Sequence, residues 1–306
     1  MRLQHIAEQI YHQPWLITST GHRSVQNLFE SKLAKACQFE ASDDGEEYDS
    51  PFIVQRGKPS LDANGIGRVY IKGVIGQGLS RIEKSCGNTD TKDVAAEIKA
   101  LVEQGAKGIF LCADSPGGMI TGTPELADFI STVAAKIPVY VFCDSQLCSA
   151  GYWIAAGATK IFSTDSAEIG SIGVYFPWID QSVLWEKQGI KSEPIVNEGG
   201  VFKGIGLGPS LTPEQREELQ AKVNRVFGLF KSFVRSQRSA HGATVPDEAC
   251  QGQTFFGIDA FSSGLVDQIV SCEAEAYDAL VEAIENDTEL EENQGIDFEF
   301  PDQSGK

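Results

Sequence analysis

Apolar and polar residues alternate from Ile66 to Ile75 (IGRVYIKGVI), the two-residue period of a half-buried strand. Thr89 or Asp90 can cap the next segment. There Val94, Ile98, Leu101 and Val102 fall on one helical face, and Gly105 ends it. The continuous apolar run 108–113 (GIFLCA) fits a fully buried strand, and it opens into Asp114-Ser115-Pro116-Gly117-Gly118, which reads as a loop. A helix near 123–135 and a second buried strand at 138–143 follow. A turn over 144–148 then leads to Ser149, with Ala150 and Gly151 opening another helix. This β-α-β-α alternation predicts a mainly parallel sheet with right-handed crossovers. Both strand-to-helix loops then lie on one edge of the sheet, where open α/β folds bind ligands.

Further along, 160–163 and 169–176 read as short strands, 181–188 as a helix and 191–197 as another strand. Residues 198–204 (EGGVFKG) form a glycine-rich loop. The longest helix is expected from Thr212 to Ala240, with Thr212-Pro213 as cap and first turn. Its apolar stripe is Leu219, Val223, Val226, Phe227, Phe230, Phe233 and Val234. A small C-terminal part, 254–270, and a helix to about Ile284 complete the domain. Outside it, the pattern predicts a helical arm over 1–37 and a mobile linker over 38–64, rich in Asp, Glu, Gly, Ser and Pro. The globular domain is 65–285, and an acidic, disordered tail is expected over 286–306.

Composition changes this picture little. The chain has 306 residues, 42% of them hydrophobic, enough to bury a sizeable core. Its formal net charge is −18, but −11 of that lies in the last 34 residues, and no basic stripe of the kind nucleic-acid binding needs is present. The seven cysteines are scattered without a CxxC pair, as in reduced, cytoplasmic proteins. No apolar run spans a membrane, and the first residues lack the apolar centre of a secretory signal. Three of the four histidines (His5, His12, His22) fall in the arm at spacings that fit no metal site, so neither a metal nor a cofactor enters the reading.

The two loops carry the chemistry. Gly117 and Gly118 offer backbone N–H groups suited to a developing oxyanion, and Ser149 offers a hydroxyl at a helix start. A serine nucleophile needs a base. Outside the arm only His241 remains as a histidine, and spacing alone leaves a triad through it open. A lysine base must be neutral, against an ordinary lysine pKa of ~10.4, and so needs burial or a cationic neighbour. Lys203 stands among Gly199, Gly200, Val201, Phe202, Gly204 and Ile205, an apolar setting for a loop lysine. Cys148 raises a cysteine-nucleophile alternative, but no core histidine is there to activate it.

Asp114-Ser115-Pro116-Gly117-Gly118, Cys148-Ser149-Ala150-Gly151-Tyr152, Ile169-Gly170-Ser171-Ile172-Gly173-Val174 and Phe202-Lys203, in this order and spacing, resemble the signal peptide peptidase A family of serine peptidases. The resemblance covers about 66–270 and implies a crotonase-like, Clp-protease-like α/β fold with a Ser–Lys dyad. Ser149 then resembles the nucleophile and Lys203 the general base. Ser171 resembles the hydroxyl that orients the lysine. Gly117 or Gly118, with Ala150, would form the oxyanion hole. The Pro14-Trp15 arm and loose linker are similar to the phage branch of the family, the protein C-like head maturation proteases. That implies capsid, portal or scaffold proteins as substrates, a homo-oligomeric ring, and action in host cytoplasm or inside a procapsid. A cytoplasmic peptidase that degrades signal peptides is the alternative within the family. A crotonase-fold acyl-CoA enzyme or an inactive structural subunit is the alternative outside it.

Overall fold

Apolar residues on both faces of a strand require cover on both sides, and this dictates the layering. The structure, a computed structural model, describes residues 15–23, 25, 26, 56–205 and 210–294. In chain order its elements are β1 (Trp15–Ile17), β2 (Ser60–Leu61), β3 (Ile66–Gly76), α1 (Arg81–Ser85), β4 (Thr89–Asp90), α2 (Thr91–Glu103) and β5 (Gly108–Met119). Next come α3 (Thr123–Ala134), β6 (Val139–Cys143), β7 (Gln146–Cys148), α4 (Ala150–Ala155), β8 (Lys160–Ser163), β9 (Glu168–Gly170) and α5 (Ser182–Lys187). The chain ends with α6 (Pro213–Ala240), β10 (Thr254–Phe256), α7 (Gly257–Ser262), β11 (Gln268–Ile269) and α8 (Glu273–Gln294).

The central strands run parallel in the order β3-β5-β6-β8-β11, as the alternation predicted. Along β5, Ile109, Leu111 and Ala113 point into the main core with Val94 and Ile98 of α2, Leu126 and Ile130 of α3 and all of α4 except Gly151. Phe110 and Cys112 point the other way, onto Ala276, Leu280 and Ile284 of α8. The result is an α/β/α arrangement. Arg68 braces the α8 side by pairing with Glu273 and lying over the rings of Phe110 and Tyr277.

Asp90 caps α2 by accepting from the Lys92 N–H, and Thr212 caps α6 in a reciprocal box with Gln215. The long helix matches its predicted span, but only its second half is held. Phe230 and Val234 are buried, and Phe230 stacks on Trp153 of α4 at 4.5 Å with the rings nearly parallel. Arg238, wholly buried, forks onto Asp267 at 2.7 and 2.8 Å and donates through Nε to the Gly264 carbonyl at 3.0 Å.

Several expectations change: the turn expected over 144–148 holds β7, and the strand expected over 169–176 is only Glu168–Gly170. Residues 15–17, expected in a helical arm, form a strand, and 19–23 are helical; 1–14, 24 and 27–37 lie outside the described residues. The expected linker already holds β2 at 60–61, while 38–55 lie outside the described residues. The Ser115-Pro116-Gly117-Gly118 stretch is not a loop, because β5 continues through it to Met119. Residues 191–197 form no strand, for no strand among the described residues pairs with them, and Ile195 is 97% exposed. The acidic C-terminal part is helical as far as Gln294.

Candidate active site

Gly117 and Gly118 lie on β5, and Ser149 and Ser171 directly follow β7 and β9, whereas Lys203 lies on no strand. At its upper end β5 exchanges partners. Ser115 pairs with Leu147 of β7, and two residues later Gly117 pairs with Ile17 of β1 on that side and Val74 of β3 on the other. Gly117 holds φ +109°, and a Cβ there would stand 2.2 Å from the Leu16 carbonyl oxygen. A Cβ on Gly118 would stand 2.0 Å from the Ile75 carbonyl oxygen. Backbone on both sides therefore demands the two glycines. Ser115, which the sequence reading left without a role, fixes the bend. Its hydroxyl donates to the Gly73 carbonyl at 2.6 Å and accepts the Gly117 N–H at 3.2 Å. The signal for it was its place just before the glycines.

β7 runs parallel to β9, with Cys148 opposite Gly170. Ser149 and Ser171 are the next residues on the two strands. The Ser149 N–H donates to the Gly170 carbonyl at 2.7 Å, and the Ser171 N–H to the Gln253 carbonyl at 2.8 Å. Ser149 adopts φ +51°, ψ −113° and Ser171 φ +50°; among the described residues no other non-glycine has positive φ. Such conformations cost about 1–3 kcal/mol each and persist where the surroundings impose them, as at functional sites. The Ser149 carbonyl starts α4 by accepting the Trp153 N–H at 2.8 Å. Its hydroxyl is buried and has no hydrogen-bond partner among the described residues. Ala150, also buried, is the first residue of α4, so its N–H belongs to an open helix N-terminus.

Lys203 is not hydrogen-bonded to the Ser149 hydroxyl. It sits in the exposed turn after 197, where its N–H donates to the Gly200 carbonyl at 3.0 Å. His241 is exposed at the C-terminal end of α6. The unpartnered Ser149 hydroxyl is bonded to neither. Burial pushes the Cys148 thiol up to about 12, which disfavours a thiolate near neutrality.

A family model for peptidase family S49 matches residues 131–287, just over half of the chain. The chain belongs to peptidase family S49. A Clp protease model also matches 78–169, in agreement with the Clp-protease-like, crotonase-like α/β layering. The capsid assembly protease C of Escherichia phage lambda is 29% identical over 210 residues, covering 68% of this chain and 47% of that protein. A putative signal peptide peptidase SppA of Enterococcus faecium is 32% identical over 188 residues, covering 60% of this chain and 53% of that protein. The chain thus spans about half the length of these two relatives. Among solved structures, a mutant of the 1510-N membrane-bound stomatin-specific protease superposes with a TM-score of 0.39 at 15% identity, over 67% of this chain and 81% of that one. No described helix of this chain is long and apolar enough to cross a membrane.

Proposed function

We propose that this chain is a serine endopeptidase in which Ser149 is the nucleophile and Lys203 the general base. The observation that carries it is the pair of strained serines. Ser149 and Ser171 follow the paired ends of β7 and β9, both in positive-φ conformations, and the buried Ser149 hydroxyl has no partner among the described residues. Ser149 Oγ attacks the scissile carbonyl carbon while a neutral Lys203 amine takes its proton. The oxyanion is received by backbone N–H groups of the glycine strand and Ala150. Lys203 then returns the proton to the leaving amine, and water cleaves the acyl-enzyme by the same steps in reverse. Ser171 orients the lysine.

Lys203 reaches the site in an oligomer. The segment around it carries apolar residues that the other described residues leave uncovered: Ile195 is 97% exposed, and Val183, Ile190, Val201 and Phe202 are each at least half exposed. A second copy packed on this segment both buries that surface and supplies the dry setting in which an ammonium gives up its proton. For the substrate, the lambda capsid protease and the head-tail preconnector protein GP5 of phage P21 among the relatives support capsid, portal or scaffold proteins. The SppA relative favours a second reading, in which the substrates are released signal peptides.

The test is peptidase activity on a denatured protein and on purified prohead proteins. Ser149→Ala and Lys203→Ala should each lower the rate by roughly 10³-fold or more with the fold intact, since members of one nucleophile–base unit fail together. Lys203→Arg should be equally inactive, because arginine keeps its proton. Ser171→Ala should cost less. Mixing the Ser149→Ala and Lys203→Ala proteins should restore part of the activity through shared sites. A Lys203→Ala enzyme with normal activity refutes the dyad, and a dead His241→Ala enzyme restores the triad.

A further inference from the structure

The strand that crosses the glycine backbone belongs to the arm. β1 runs antiparallel to β5, with Trp15, Leu16 and Ile17 opposite Met119, Gly118 and Gly117, and the Thr18 N–H donates to the Pro116 carbonyl at 2.9 Å. Its other edge is paired too: Trp15 and Tyr175 exchange N–H···O bonds of 2.9 and 3.3 Å. β1 thus lies in line with β7. One row holds β7 between Ser115 and Ile169, and its continuation holds β1 between Gly117–Met119 and Tyr175. Ser149 is the residue at the end of β7, where the two meet. One step of two residues along β5, about 7 Å, separates the partner of Leu147 from the partner of Ile17.

We infer that β1 occupies the place an extended peptide substrate must take, so that the arm closes the site until it is released; this rests on the serine peptidase reading above. A peptide enters such a slot by adding an antiparallel strand through main-chain bonds, with alternate side chains giving selectivity. β1 already makes those bonds. In an antiparallel ladder bonded pairs alternate, so the Thr18–Pro116 pair makes Leu16–Gly118 the next bonded pair, which commits the Gly118 backbone to the arm. Burial of the Ser149 hydroxyl agrees with a filled slot.

The arm is built to block rather than to be cut. It is extended only as far as Thr18, where the chain turns into the helical residues 19–23. The Thr18 carbonyl accepts the His22 N–H at 2.9 Å and its Oγ1 accepts the Gly21 N–H at 3.1 Å. The Thr18 carbonyl, the first beyond the paired residues of β1, is therefore bonded within the arm. His22 holds the turn closed, its ring 5.2 Å from that of Trp15 and 5.5 Å from that of Tyr175. The slot also states a preference. Leu16 is fully buried in the main core, whereas Trp15 and Ile17 pack in a small outer cluster with Val25, Val74, Met119 and Tyr175. A substrate strand should carry an aliphatic residue at the Leu16 position, two before the one opposite Pro116.

The experiment uses the full chain with a recognition sequence for a narrow-specificity cysteine protease inserted after residue 45, so that the arm can be cut from the folded protein. Labelling of Ser149 by a fluorophosphonate should rise about tenfold or more once the cut arm is removed, the gain expected when nine-tenths of the molecules had it docked. A fluorescent peptide of residues 12–21 should bind the cut Ser149→Ala protein and not the uncut one, and the same peptide with Asp in place of Leu16 should not bind. As a test that removes nothing, a Trp15→Cys/Tyr175→Cys chain should label slowly when oxidised and recover on reduction. Equal labelling with the arm docked, locked or removed overturns the inference, as does failure of the peptide to bind the cut protein. Peptide binding without labelling of any form refutes the serine nucleophile and leaves the strand slot standing.

Discussion

Arg238→Ala should cost this protein about 3–5 kcal/mol of stability. Arg238 is wholly buried near the end of α6, and its partner carboxylate is 16% exposed. Three N–H bonds go with the guanidinium: two to Asp267 at 2.7 and 2.8 Å and one to the Gly264 carbonyl at 3.0 Å. Asp267 keeps the Ile161 N–H at 2.7 Å, which is too little to satisfy a buried charge. Removing one member of a buried pair is what makes the loss large, because the other is left uncompensated. At about 2–4 °C per kcal/mol for a domain of this size, the melting temperature should drop by roughly 6–20 °C. Replacing both members, as Arg238→Met with Asp267→Leu, should recover most of it, since an apolar pair of similar volume is often neutral. Thermal melts of the two singles and the double, completed as a cycle, provide the assay. A fall below about 3 °C in Arg238→Ala, or a double variant as unstable as the single, refutes the reasoning.

Other consequences are read more simply. Phe230→Ala should destabilise by about 3–5 kcal/mol, the ordinary cost of emptying a core aromatic site. Denaturation should show it, whereas Leu229→Ala, at an exposed position on the same helix, should leave the midpoint nearly unchanged. Thiol alkylation at pH 8 should modify the exposed Cys272 at once and spare Cys148. Because burial raises the Cys148 pKa to about 12, its thiolate should form only as pH approaches that value; mapping modified peptides checks this, and fast loss of Cys148 at pH 8 contradicts it. Tyr152→Phe removes a buried hydroxyl bonded to the Leu265 carbonyl at 2.8 Å and should cost about 1–2 kcal/mol in a melt.

The sequence made the parallel core legible because its strands and helices carry their own periods. Ile66–Gly76, Gly108–Ala113 and Val139–Cys143 are apolar where two layers cover them, and Asp90 and Thr212 announce the helices they cap. What stayed hidden depended on partners distant in the chain. Ser115-Pro116-Gly117-Gly118 reads as a turn because glycine and proline favour turns. It is a strand because β3 and β1 approach its backbone so closely that only glycine fits. Trp15-Leu16-Ile17 is too short to show a period, and its pairing with Gly117–Met119 spans a hundred residues. The 191–197 segment carries Ile195 and Val196 but has no partner strand among the described residues. At the site, Ser149 and the two glycines were named from the strand-to-helix loops, and Ser171 from the family resemblance. The strain at both serines could not be, since backbone angles are set by the surrounding fold. The arm across the glycines escaped for the reason its strand did.

Mapping the covalent adduct of a fluorophosphonate on the assembled protein tests the central claim most directly. Digestion and tandem mass spectrometry should place a single adduct on Ser149, absent from the Ser149→Ala protein and suppressed in Lys203→Ala. An adduct on Ser171 or another residue, or undiminished peptidase activity with Ser149 unmodified, would contradict it.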